Sequence, residues 1–118
     1  MRPDVLEMLA QFYEAAGQCD DARRVYIQLF EAAKPDASRL AACCIKRAYF
    51  ETRQHDYTAA LAAFRATLHI TDGPHYEYIA SQMAKYQALV TRDLSAARAT
   101  LDYAYVFLYF VLKIPLNI

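Results

Sequence analysis

Glycine is nearly missing from this chain: Gly17 and Gly73 are the only two among 118 residues. No glycine-rich loop can therefore cradle a phosphate. Proline is also scarce, at four residues, while 57% of the chain is hydrophobic. That balance excludes a disordered or low-complexity segment. Charge of one sign is lacking too, because the formal net charge is +0. A strongly basic nucleic-acid-binding module carries a visible positive excess, so polyanion binding is not the default expectation. Long apolar runs are absent. The longest, Tyr103 to Leu112, is half of the roughly 20 residues needed to span a bilayer, and no membrane segment is expected. Met1-Arg2-Pro3-Asp4 passes straight into an amphipathic pattern, so no secretory leader is expected either.

Cysteine is limited to Cys19, Cys43 and Cys44, an odd number with two adjacent. Neighbouring cysteines on one helical turn point apart. They read as reduced thiols acting as small buried hydrophobes, in a cytosolic or nuclear protein. Cys43, Cys44 and His55 have no metal-site spacing. His-Glu-x-x-His, paired-cysteine zinc motifs and a Gly-x-Ser-x-Gly elbow are all missing. His55, His69 and His75 read as solvent-facing or capping residues. Glu14, Glu31 and Glu51 read as solvated or packing carboxylates. No enzyme, cofactor or metal site is expected.

What the chain has is a period. Three stretches share one pattern, each a helix end, a tight turn and a helix start. They centre on Phe12 with Ala22, Phe50 with Ala60, and Tyr86 with Ala97. The three alanines are 38 and 37 residues apart, a spacing that marks a helical repeat.

Taken in order, a first helix is expected from Pro3 to Ala16, with Val5, Leu9, Phe12 and Ala16 as its inner stripe and Gly17 closing it. Asp20 is expected to cap the second helix, whose stripe is Ala22, Val25, Tyr26, Leu29, Phe30 and Ala33. Lys34-Pro35-Asp36 ends it and caps the next one. The third helix, from about Ala37 to Arg53, carries apolar residues broadly. Asp56 caps a fourth, whose stripe is Tyr57, Ala60, Leu61, Phe64 and Leu68. Thr71-Asp72-Gly73-Pro74 is a strong breaker. A fifth helix runs from about His75 to Thr91, with Tyr76, Ile79, Met83, Tyr86 and Val90 on one face, and Asp93 or Ser95 caps a sixth that continues to Leu112, with Leu94, Ala97, Leu101 and Ala104 inward. The expected fold is all-α: one domain over 1–118, a short right-handed solenoid of three antiparallel helix hairpins over 3–34, 37–70 and 74–112. One hairpin cannot bury its stripe alone, so neighbours stack. Phe12, Ala22, Phe50, Ala60, Tyr86 and Ala97 are the expected repeat-packing residues.

Two surfaces are candidates for function. Arg39, Lys46, Arg47 and Arg53 form a basic face, three of them seven apart. Such a face could contact RNA phosphate or an acidic peptide, or be solvated and locally paired with Glu51 or Asp56. The second surface is the belt Tyr103, Tyr105, Val106, Leu108, Tyr109, Phe110 and Leu112, apolar all round. A helix of that kind needs a cover, so homodimer or heterodimer contact is expected there.

The pattern resembles the half-a-tetratricopeptide repeat of RNA-processing factors. In that repeat an aromatic-acidic element ends the first helix and an Ala-Arg element lies in the second. Phe50-Glu51 matches the first element; Ala22-Arg23 and Ala97-Arg98 match the second. Ala60-Leu61 departs from it, and Phe12-Tyr13-Glu14 shifts the acid by one. Residues 3–104 resemble the C-terminal repeats of the pre-mRNA-processing factor 39 family, carried by Leu9 to Arg23, Lys46 to Arg53 and Ala84 to Arg98. His55 stands where that family prefers glycine, and Val106 to Ile118 does not resemble it. The family's members are much longer, so the resemblance implies a short or truncated form. It further implies a nuclear, non-enzymatic scaffold associated with the U1 small nuclear ribonucleoprotein at 5′ splice sites. Its partners would be other splicing-factor subunits, with dimerisation through the C-terminal repeats. A general tetratricopeptide-like peptide adaptor outside splicing, or another RNA-processing scaffold of this repeat type outside the U1 particle, is the alternative, and direct RNA contact is the less favoured reading.

Overall fold

A computed structural model describes the backbone of residues 2–110 and the side chains of residues 2–104. The described chain is all-α. Its helices are α1 (Pro3–Ala15), α2 (Cys19–Ala33), α3 (Ala37–Arg53), α4 (Tyr57–Leu68), α5 (Gly73–Leu89) and α6 (Leu94–Phe110). No strand occurs among the described residues.

Local chemistry sets most of the helix ends. Pro3 opens α1, where its missing N–H costs nothing. The carboxylates of Asp36, Asp56 and Asp93 accept from the backbone N–H groups of Arg39 at 3.3 Å, Ala59 at 3.0 Å and Ala96 at 3.0 Å. Each satisfies one of the free donors of a first turn. The second helix departs from expectation. It starts at Cys19 after Gln18, without a side-chain cap. Asp20 instead lies inside the first turn and meets Arg23 at 3.4 Å.

The turns repeat as the helices do. Gly17 has φ +77°, His55 +59° and Arg92 +56°. These residues are 38 and 37 apart, so one left-handed residue recurs at the end of each odd-numbered helix. Glycine adopts this conformation freely, whereas a side chain there is strained by roughly 1–2 kcal/mol. His55 keeps the glycine-like turn and bears that strain.

Helices pack in sequence: α1 on α2, α3 on α4, α5 on α6, with α2 on α3 and both α3 and α4 on α5. Three buried clusters result. The first joins α1, α2 and α3 around Val25, Tyr26, Leu29, Leu40 and Phe50. The second joins α3, α4 and α5 around Cys44, Phe64, Ile79, Met83 and Tyr86. The third is small, with Tyr76, Ala80 and Ala104. Helix α3 feeds two clusters, since Leu40, Cys43 and Phe50 turn to the first while Ala41, Cys44 and Ala48 turn to the second. That explains the broad apolarity of its sequence.

The radius of gyration is 14.9 Å, above the roughly 13.5 Å of a compact chain this long. The body measures 47 × 32 × 15 Å, a plate rather than a sphere.

Candidate functional site

Of the expected packing residues, Ala22, Phe50, Ala60, Tyr86 and Ala97 are buried. The alanines let paired helices approach without a side chain between them. Phe12 is a correction at 69% exposed, and Tyr57 of α4 and Leu94 and Leu101 of α6, also expected inward, are exposed as well. Helix α1 carries two apolar stripes, and it buries Leu6 and Ala10, with Leu9 and Tyr13 beside them. Its acidic edge decides between the stripes. Glu7 pairs with Lys46, and Glu14 accepts from Arg53 Nε and Nη2 at 2.6 and 2.7 Å. With Glu7 and Glu14 turned to α3, Val5, Met8 and Phe12 are left facing solvent.

The same pairs change the reading of the basic face. Lys46 and Arg53 are stitched to α1 and are not free cations. Their partners are neither Glu51 nor Asp56. Glu51 is taken by Arg23, and Asp56 caps α4. Arg39 is exposed. Arg47 is half-buried, and its Nε has no hydrogen-bond partner.

The strongest polar feature joins α2 to α3. Glu51 is 0% exposed. Arg23 donates from Nε to Oε1 at 3.0 Å and Oε2 at 3.2 Å, and from Nη2 to Oε1 at 2.8 Å. The guanidinium lies 5.7 Å from the centre of the Phe50 ring. Its pKa is raised chiefly by the hydrogen bond to Glu51, against the opposing effect of burial. Phe50 in turn lies against Tyr26, with ring centroids 4.9 Å apart. The Ala22-Arg23 and Phe50-Glu51 elements are therefore brought into contact, across two different helix pairs. A second junction repeats the aromatic part: Phe64 of α4 meets Tyr86 of α5 at 5.6 Å. There Tyr86 also shares a hydrogen bond with Thr52 at 2.7 Å.

Of the apolar C-terminal belt, Tyr103 is 68% exposed. The side chains of Tyr105, Val106, Leu108, Tyr109 and Phe110, and residue Leu112, lie outside the described residues. Tyr103 borders a cleft of about 560 Å³ that the sequence did not reveal. Tyr76 and Met83 of α5 line it, together with Arg65 and His69 from the end of α4. Gln87 also lines it and accepts from Thr100 Oγ1 at 2.6 Å. The Thr71 hydroxyl, also lining the cleft, is buried without a partner.

Ser38, His75 and Asp72 form a hydrogen-bonded row, at 3.1 Å from Oγ to Nε2 and 2.7 Å from Nδ1 to Oδ1. The row has the order of a hydrolytic triad. In such a triad the carboxylate is buried and the serine opens on a substrate site with oxyanion donors. Here Asp72 and Ser38 are exposed, and Ser38 does not line the cleft. The row fastens the start of α5 to the start of α3. Burial pushes the Cys43 thiol up to about 12 and the Cys44 thiol to about 11. Cys44 Sγ also donates to the Ala63 carbonyl at 3.5 Å. These thiols are core groups and poor nucleophiles. Among the described residues no cluster of His, Cys, Asp and Glu is placed to hold a metal ion, and no helix is long and apolar enough to cross a membrane.

Comparison of the chain with protein-family models, with curated proteins and with solved structures gave no match in any of the three.

Proposed function

We propose that this chain is a non-enzymatic helical-repeat scaffold that works through protein–protein contacts in pre-mRNA splicing. The six helices of the described residues read as three antiparallel hairpins of a short right-handed solenoid. One observation carries the reading. The aromatic-acidic and Ala-Arg elements, which the sequence resemblance rests on, interlock at the α2–α3 junction through Arg23, Phe50 and Glu51. The recurring left-handed residue at Gly17, His55 and Arg92 supports the same repeat. The resemblance to the pre-mRNA-processing factor 39 family supplies the biological setting: the nucleus, the U1 small nuclear ribonucleoprotein, and partners among its subunits. Direct RNA binding is disfavoured because Lys46 and Arg53 already neutralise Glu7 and Glu14.

The test is affinity capture from nuclear extract with the tagged chain, scored for U1 subunits. Their enrichment over an Arg23→Ala control supports the splicing role, and their absence overturns it. The α4–α6 cleft favours a second reading, a peptide adaptor outside splicing. Its size falls within the roughly 300–1,000 Å³ of ligand sites. Capture that depends on Arg65 and Tyr103, with no U1 subunit present, would establish that alternative.

A further inference from the structure

Two junctions among the described residues are built alike, and the outer helices α1 and α6 each carry half of another. At the first, Tyr26 lies against Phe50; at the second, Phe64 lies against Tyr86. Tyr26 and Phe64 are 38 residues apart, and Phe50 and Tyr86 are 36 apart. All four are buried. The series continues beyond both. Leu101 of α6 stands 37 residues after Phe64, and Phe12 of α1 stands 38 before Phe50. Each holds the register of a junction without its other half, and they are 41% and 69% exposed.

The flanking positions agree. Val5 is 38 residues before Cys43 and Leu94 is 75 after Cys19. Cys43 is buried in the first cluster and Cys19 packs against it, whereas Val5 and Leu94 are exposed. Helix α1 thus shows solvent the face that α3 buries on α2. Helix α6 shows the face that α2 buries on α3. Arg98 stands 75 residues after Arg23, the residue that lies over Phe50.

We propose that these two faces are the halves of one more junction, made between two copies of this chain. Phe12 of one copy packs on Leu101 of the next, and α1 lies along α6 as α3 lies along α2. Arg98 then covers Phe12 as Arg23 covers Phe50. The proposal rests on the repeat reading above. The two faces differ and lie on the outer helices α1 and α6, which do not touch among the described residues of one chain, so the contact is heterologous. It extends head to tail, and it differs from a dimer of α6 on α6.

Sedimentation velocity across a wide concentration series tests it, using the full chain, Phe12→Glu, Leu101→Glu and an equimolar mixture of the two variants. Both substituted residues are exposed, so the helical circular dichroism stays at the parent value. The parent chain gains mass with concentration past the dimer. Each variant alone is a monomer. The mixture yields a one-to-one dimer, because one variant keeps its α6 face and the other its α1 face. A parent chain that is monomeric throughout overturns the proposal. So does a Phe12→Glu variant that associates like the parent, which would assign the contact to α6 on α6, and so does a mixture that stays monomeric. Phe50→Ala separates this failure from failure of the repeat reading. If it leaves the urea midpoint unchanged, the internal junction is wrong and both readings fall. If it lowers the midpoint while the parent is monomeric, only the contact between copies falls.

Discussion

Replacing Arg23 with alanine leaves the Glu51 carboxylate buried with no partner. Glu51 is 0% exposed, and its carboxylate takes all three of its cross-helix contacts from that one guanidinium. Breaking a buried pair in this way costs about 3–5 kcal/mol. Losing the guanidinium over Phe50 adds about 0.5–1 kcal/mol. A third of the Arg23 side chain is exposed, so water can reach the vacated space and the lower end of the first range applies. A total of about 3–4 kcal/mol follows, a large share of the 5–15 kcal/mol that typically holds a domain together. Urea unfolding followed by helical circular dichroism measures it directly. The partner experiment is Arg23→Met with Glu51→Leu, which removes both charges and keeps the volume. An apolar replacement of a buried pair is often neutral or better, so the double variant should recover most of the loss. A loss below about 1 kcal/mol for Arg23→Ala, the range of a surface pair, would refute the reasoning. So would a double variant as unstable as the single one.

Four further outcomes are expected. Ala60→Leu forces α3 and α4 apart at a fully buried position and should lower stability by about 1–3 kcal/mol in a thermal melt. Stability should fall in alkali. Burial raises Cys43 to about 12 and Cys44 to about 11 from an ordinary value of 9.0, so the unfolded chain ionises first. The contribution is therefore complete below pH ~9 and lost as pH rises toward the folded values. Each pH step between ionisation of the unfolded and the folded thiol is worth about 1.4 kcal/mol. A urea midpoint that stays flat between those limits would contradict it, as would rapid labelling of more than Cys19 in the native state. Arg53→Ala removes a half-exposed pair with Glu14 and should cost under about 1 kcal/mol, less still in high salt. His55→Gly relieves a left-handed residue and should raise the melting temperature, by a net gain of up to ~1 kcal/mol once glycine's extra chain entropy is set against the strain.

The elements with strong local signals were legible in the sequence. Asp36, Asp56 and Asp93 sit where a cap is needed, Gly17 where a left-handed turn is needed, and Ala22, Ala60 and Ala97 where helices touch. The rotation of α1 was not. Val5 with Phe12 and Leu6 with Ala10 each make a helical stripe, and periodicity alone cannot rank them. The choice is made by Glu7 and Glu14 reaching Lys46 and Arg53, 39 residues away, which no local window contains. The α4–α6 cleft was hidden for the same reason: it arises where two helices that are not neighbours in sequence stand apart over a third. Asp20 misled because any acid before an apolar stripe resembles a cap, and here it served Arg23 instead.

The thin plate has a mechanical consequence. Each helix leans on those nearest it in sequence, and the 15 Å thickness leaves no central mass into which the two ends could be locked. Release of the α5–α6 end need not loosen the α1–α2 end. Amide protons should therefore exchange in a gradient, slowest in α3, which lends a face to each of the two larger clusters, and fastest toward both tips. A substitution in α3 weakens everything on either side of it, while one in α1 or α6 frays a single edge.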